Sequence, residues 1–172
     1  MSRREFLKKL MLVAVFSHVS LMFAAMKTAV ASNISDLRIT DKSGFSVVLS
    51  ENDFLKLPQT VIRTQTVWTE GLHQFAGATL KDVLLNAGID LRSYNRSTLL
   101  RLTAWNDYTI DIPLSDALEY KALIAAFMDG KRLTIRDKGP YWLVYPRDSY
   151  SRLQDARFDH RWSWQLKEIA VQ

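Results

Sequence analysis

The chain has 172 residues and a formal charge of +5, from 23 lysines and arginines against 18 acidic side chains. It has no cysteine, which excludes disulfides and any thiolate ligand to a metal. The first 31 residues hold five of the basic and one of the acidic side chains, leaving 18 against 17 and a charge of +1, so the remainder lacks the basic excess that nucleic-acid binding needs.

Residues 2–8 read Ser-Arg-Arg-Glu-Phe-Leu-Lys, and a largely apolar run follows from Leu10 to Met26. Ala29-Val30-Ala31 then gives the small-x-small pattern that a signal peptidase cuts after. The paired arginines within S-R-R-x-F-L-K resemble a twin-arginine export signal. The apolar run is short for a membrane span of about 20 residues, and Ser17, His18 and Ser20 interrupt it. The order predicts export to the periplasm with cleavage after Ala31; an ordinary secretory signal or a retained anchor are the rival readings. Residues 32–172 form the domain that remains, long enough for one core.

In chain order, Leu37–Thr40 and Phe45–Leu49 flank a turn at Asp41–Gly44 and read as a hairpin. Ser50 opens a short helix as its N-cap, with Asp53 at the capping-box position, and Pro58 ends it. Gln59–Gly71 is rich in β-branched residues and reads as a strand. Alternation would put Ile62, Thr64, Thr66 and Trp68 on one face, two hydroxyls closed by an indole. Thr79–Ala87 has helical apolar spacing, with Gly88 suited to the C′ position. Ser97–Trp105 and Tyr108–Ile112 read as paired strands around Asn106-Asp107. Ser115–Glu119 gives a helical turn or two. Leu123–Met128 turns at Asp129-Gly130 into Arg132–Ile135. Tyr141–Tyr145 is an apolar strand, and Trp162–Val171 a final one. The sum is an α+β chain, a strand-dominated single domain with a few short helices.

The sequence contains no G-x-G-x-x-G, P-loop, H-E-x-x-H or G-x-S-x-G. His73 and His160 are far apart in sequence, which speaks against a histidine metal site. Three stretches remain prominent: Trp68, Trp105-Asn106-Asp107-Tyr108, and Lys138-Gly139-Pro140-Tyr141-Trp142.

"FAGATLKDVLLNAG" (75–88), "AWNDYTIDIP" (104–113) and "DGKRLTIRDKGPYWLVYP" (129–146) follow one another at the spacing of the sulfite-oxidase-type molybdopterin domain. The chain resembles that family from about Leu49 to Ala170. The resemblance implies the family's molybdopterin-binding fold. Enzymes of the family hold a molybdenum pyranopterin through a cysteine, which in some precedes a tryptophan by four residues. The matching pair here is Thr64 and Trp68, and a hydroxyl is a hard substitute for a soft thiolate. The chain resembles more closely the small, cysteine-less exported members of the pterin-response (PruR-type) group. That resemblance implies a protein with no catalytic residues and no metal. It would bind a reduced pterin and report it to the periplasmic domain of a membrane-bound enzyme that makes or degrades cyclic di-GMP. A molybdopterin-dependent oxidoreductase with non-cysteine ligation, or its remnant, is the alternative. A third reading is a solute-binding or structural periplasmic protein unrelated to pterins.

A pterin is a flat ring with an apolar face and a rim of donors and acceptors, so an aromatic face and a carboxylate suit it. Trp68 is the expected stacking residue, with Thr64 and Thr66 on its side of the strand. Asp107 is the expected carboxylate, with Asn106 and Tyr108 beside it. Lys138, Gly139 and Pro140 bring backbone groups close. Each position has a plainer use as well. Trp68 could fill the core, Asn106-Asp107 and Gly139-Pro140 could serve as turns, and Trp105, Trp142, Trp162 and Trp164 could serve packing or a partner surface.

Overall fold

The computed structural model describes residues 33–172, and the export signal read over residues 1–31 lies outside them. Two five-stranded sheets share one core. In the first, the hairpin strands β1 (Leu37–Thr40) and β2 (Ser46–Leu49) lie beside β10 (Leu166–Val171), β5 (Leu99–Ala104) and β6 (Thr109–Pro113), in the order β2-β1-β10-β5-β6. Only the β1–β10 pair within it is parallel. The second sheet runs β3 (Gln59–Gln65), β4 (Leu72–Thr79), β7 (Leu123–Met128), β8 (Lys131–Arg132), with β9 (Trp142–Val144) also on β7. The strand-dominated α+β fold read from the sequence is the one observed.

Local chemistry fixes the helix starts. In α1 (Glu51–Lys56) the Ser50 side chain accepts from Asp53 N at 3.2 Å. In α2 (Leu80–Asn86) Thr79 does the same for Asp82 N at 3.1 Å, while Gly88, at φ +81°, follows the C-cap. The third helix, α3 (Ser115–Glu119), has no side-chain cap. Phe54, Leu80, Val83 and Leu84 seat α1 and α2 on a core that draws Leu37, Ile39, Leu100, Leu102 and Ile169 from the first sheet and Phe75, Ile124, Trp142 and Leu143 from the second.

The alternation expected for β3 holds as far as Gln65: Thr64 is buried while Val61, Arg63 and Gln65 are exposed. It does not extend to Trp68. The Thr66 hydroxyl accepts from Trp68 N at 3.0 Å and meets Thr69 Oγ1 at 2.8 Å, folding the chain into a local turn, and Gly71 sits at φ +75°. Strand β4, central in the second sheet, has no counterpart in the sequence reading. A register shift between Ala76 and Gly77 breaks its alternation. At Gly77 a Cβ would lie 2.0 Å from the Ile124 carbonyl oxygen, so only glycine lets β4 approach β7 so closely. The last strand is also shorter than read. It begins at Leu166 because Gln165 adopts φ +53°, with its N–H donated to Lys138 O. The Arg132–Ile135 strand yields after Arg132 to a 3-10 turn over Ile135–Asp137. Residues 147–161, unassigned in the sequence reading, form three 3-10 segments.

Candidate functional site

A cavity of about 340 Å³ opens where the β5–β6 hairpin, the Thr66–Gly71 loop and the chain before β10 converge. Its size lies near the lower end for small-molecule sites, about 300–1,000 Å³. Trp68, Tyr108, Trp162 and Trp164 give it aromatic walls, and Asn106, Asp159, His160 and Ser163 give it polar groups.

The indoles brace one another. The Trp68 ring centroid lies 5.7 Å from that of Trp162 and 5.5 Å from that of Trp164, the latter edge to face. Trp142 lies behind them, 6.4 Å from Trp162 and 6.5 Å from Trp164. Trp68 is half-buried, so it both packs on this cluster and presents a surface to the cavity.

The segment that carries Asp159 to Trp164 is held from behind. Buried Asp116, in the first turn of α3, accepts from Arg161 Nη1 at 2.9 and 2.8 Å and from the Tyr145 hydroxyl at 2.8 Å. Burial pushes the Asp116 carboxyl up, and Tyr145 and Arg161 pull part of that back. Burial also pushes the Tyr145 hydroxyl well up, so it stays a donor to Asp116. The guanidinium of Arg161 stacks on Phe158 at 4.3 Å. On the cavity side, Asp159 Oδ1 accepts from Arg147 Nη1 at 2.9 Å.

Two buried donors at this site are unpaired. The Trp162 indole N–H and the Ser163 hydroxyl find no hydrogen-bond partner among the described residues. Leaving such a group unpaired costs about 1–3 kcal/mol.

Of the residues expected from the sequence, Trp68, Asn106 and Tyr108 meet at the cavity. Asn106 has the turn role too, its Oδ1 accepting from Tyr108 N at 3.1 Å. Asp107 is exposed, sits at φ +63° and pairs with Lys167 rather than lining the cavity. Thr64 and Thr66 are buried and do not line it. Thr64 Oγ1 donates to Gln65 O at 3.2 Å and accepts from Asp148 N at 3.4 Å. Lys138 lies behind the wall, its ammonium 5.4 Å from the Trp142 ring centroid and 5.8 Å from that of Trp164. Gly139 packs on the Leu133 backbone, where a Cβ would come within 2.4 Å, and Pro140 O accepts from Arg132. The carboxylate that does face the cavity is Asp159. With His160 and Ser163 it comes from a 3-10 stretch and the turn after it, which have no periodicity to read. The aromatic density of His160-Arg161-Trp162-Ser163-Trp164 was the available signal.

A molybdenum pyranopterin has two parts, and they fit differently. The aromatic walls and Asp159 suit the pterin ring. Among the described residues, no set of side chains suits the metal. There is no cysteine, and the Thr64 hydroxyl is occupied by backbone partners. Among the described residues no three His, Asp or Glu side chains gather to hold a metal.

No curated protein matches the sequence. The fold matches the crystal structure of the sulfane dehydrogenase SoxCD from Paracoccus pantotrophus with a TM-score of 0.58 at 16% identity, over 83% of this chain. The match spans only 40% of that chain. The family described as "Oxidoreductase molybdopterin binding domain" matches residues 25–150, most of the sequence. The chain belongs to the oxidoreductase molybdopterin-binding domain family.

Proposed function

We propose that the chain is a periplasmic pterin-binding protein with no catalytic step of its own. It signals the presence of a reduced pterin to the periplasmic domain of a membrane-bound enzyme of cyclic-di-GMP turnover. The observation that carries the binding reading is the cavity, where indole faces and a carboxylate surround one space. Tryptophan faces suit a flat ring. Asp159 Oδ2, which has no partner among the described residues, suits the N–H donors of an aminopyrimidinone edge. The occupied Thr64 hydroxyl and the missing thiolate favour a free pterin over a molybdenum complex. Export is supported by S-R-R-x-F-L-K and Ala29-Val30-Ala31. The signalling partner is supported by the resemblance to cysteine-less exported proteins.

The test is purification from the periplasmic fraction of the native host, then denaturation and analysis of what is released. A fluorescent pterin without stoichiometric molybdenum is the expected result. One molybdenum per chain would instead favour an oxidoreductase with unusual ligation. Absence from the periplasmic fraction would remove the export step. Cyclic-di-GMP levels that ignore deletion of the chain while pterin supply varies would remove the signalling step.

A further inference from the structure

The Thr66–Gly71 loop presents Trp68 to the cavity, and one side chain ties its far end down. His73, at the start of β4, meets Glu70 O with Nε2 at 2.9 Å and Asp129 Oδ2 with Nδ1 at 2.6 Å. Both partners are acceptors. A carbonyl oxygen cannot donate, and the other Asp129 oxygen already accepts from Gln74 N at 2.9 Å. A neutral imidazole has one N–H, so it satisfies one partner and turns a lone pair on the other. Only the imidazolium donates to both.

We propose that His73 is a positioning residue that clamps the Trp68 loop only in its doubly protonated form, so that one proton sets a wall of the cavity. When the ring loses its proton, the remaining N–H stays with the Asp129 carboxylate, the stronger acceptor, and Glu70 is released. From the β7–β8 turn come Asp129 and, beside it, Lys131; Glu70 has an exposed carboxylate; the β3 residue in register with His73 is uncharged Thr64; and Phe75 presents its ring at 6.3 Å.

The electrostatics agree. The hydrogen bond to Asp129, foremost, and that to Glu70 hold the His73 ring above its usual value of 6.5 against the effect of burial. The Gln74 N–H, then His73, hold the Asp129 carboxyl below its usual 3.8. A raised histidine contributes its clamp fully below about pH 6.5 and loses it as pH rises through the elevated value. A lowered carboxyl keeps its share above about pH 3.8 and loses it only as pH falls through the depressed value.

The test is side-chain and backbone NMR of the ligand-free protein from about pH 5 to about pH 9. The expected result is a His73 ring with both nitrogens protonated at neutral pH, a midpoint above about 6.5, and Trp68–Gly71 resonances that step with that midpoint. A ring that is neutral at pH 7, or loop resonances that ignore the His73 midpoint, would overturn the proposal. Asp129→Asn is the second arm. Its carboxamide donates to a neutral Nδ1 while its oxygen still accepts from Gln74, so the loop stays anchored and its pH step disappears. A step that persists unchanged in Asp129→Asn would also overturn it. Only the binding arm rests on the pterin reading. Affinity for tetrahydrobiopterin, measured anaerobically, should fall several-fold from about pH 6 to about pH 8.5 in the wild type and change less than about twofold in Asp129→Asn. Equal pH dependence in the two proteins would count against the clamp. No binding at any pH, with the loop step intact, would support the clamp and refute the pterin site.

Discussion

Asp159 divides its carboxylate between two directions. Oδ1 is fixed by Arg147, whose Nη2 also reaches Gln154 O at 2.8 Å, so the side chain is oriented before any ligand arrives. On the proposed pterin reading, the other oxygen is the acceptor for ring N–H groups. Asp159→Asn keeps an acceptor for Arg147 but puts a donor and no charge where Oδ2 was. Hydrogen bonds to a charged group contribute about 1.5–3 kcal/mol, so pterin affinity should drop by roughly tenfold to a hundredfold. Calorimetry reads the loss, and a circular-dichroism melt within a few degrees of wild type shows that the fold has survived. Unchanged affinity would remove Asp159 from the site. The site was only partly legible in the sequence at this scale. Trp68, Asn106 and Tyr108 could be named because they stand in recognisable local motifs. Asp107 drew attention as a carboxylate beside them, yet its left-handed turn conformation aims it at Lys167. Asp159, 52 residues beyond Asp107, lines the same cavity as the β5–β6 hairpin, a juxtaposition that no local motif announces.

The elements that could be read were those whose signals are local. Ser50 announces α1 because an N-cap bonds three residues ahead, and α2 is announced by the apolar spacing of Leu80, Val83 and Leu84 with Gly88 after it. Strand β4 escaped because its inward positions include His73 and Gly77, and neither looks apolar; its burial comes from β3 and β7 on either side. The 3-10 segments over 147–161 escaped because nothing periodic defines them, and they are held by distant groups instead. Asp116 on α3 is the main holder of the last one, through Arg161. Asp116→Ala leaves the Arg161 guanidinium without its carboxylate in a largely buried position, a change that costs about 3–5 kcal/mol. The melting temperature should fall sharply. In any fraction that remains folded, the Trp162 and Trp164 fluorescence should shift, since those indoles follow directly in the chain. Asp116→Ala melting like wild type would mean that the segment is held by other contacts.

Across the molecule, the two ends of the described chain meet. Strand β1 lies between β2 and β10, parallel to the latter, with Arg38, Ile39 and Thr40 in register with Glu168, Ile169 and Ala170. Leu37 and Ile39 are 0% and 1% exposed, and the Tyr141 hydroxyl donates to Ser35 O at 2.9 Å. A chain that starts at Ser32, where cleavage after Ala31 would leave it, keeps every one of these contacts. It should therefore fold alone and unfold in one urea transition, because both sheets feed the same core. A chain that starts at Asp41 loses β1. Burial of a leucine or isoleucine contributes about 1.5–3 kcal/mol, so the two side chains alone account for about 3–6 kcal/mol. That is a large part of the roughly 5–15 kcal/mol by which domains are stable, before the lost pairing on both flanks is counted. The shorter chain should show no cooperative transition, and its tryptophan emission should lie near that of the urea-unfolded protein. A cooperative transition in the Asp41 chain at the same urea midpoint as the Ser32 chain would show that β1 covers the sheet without holding it.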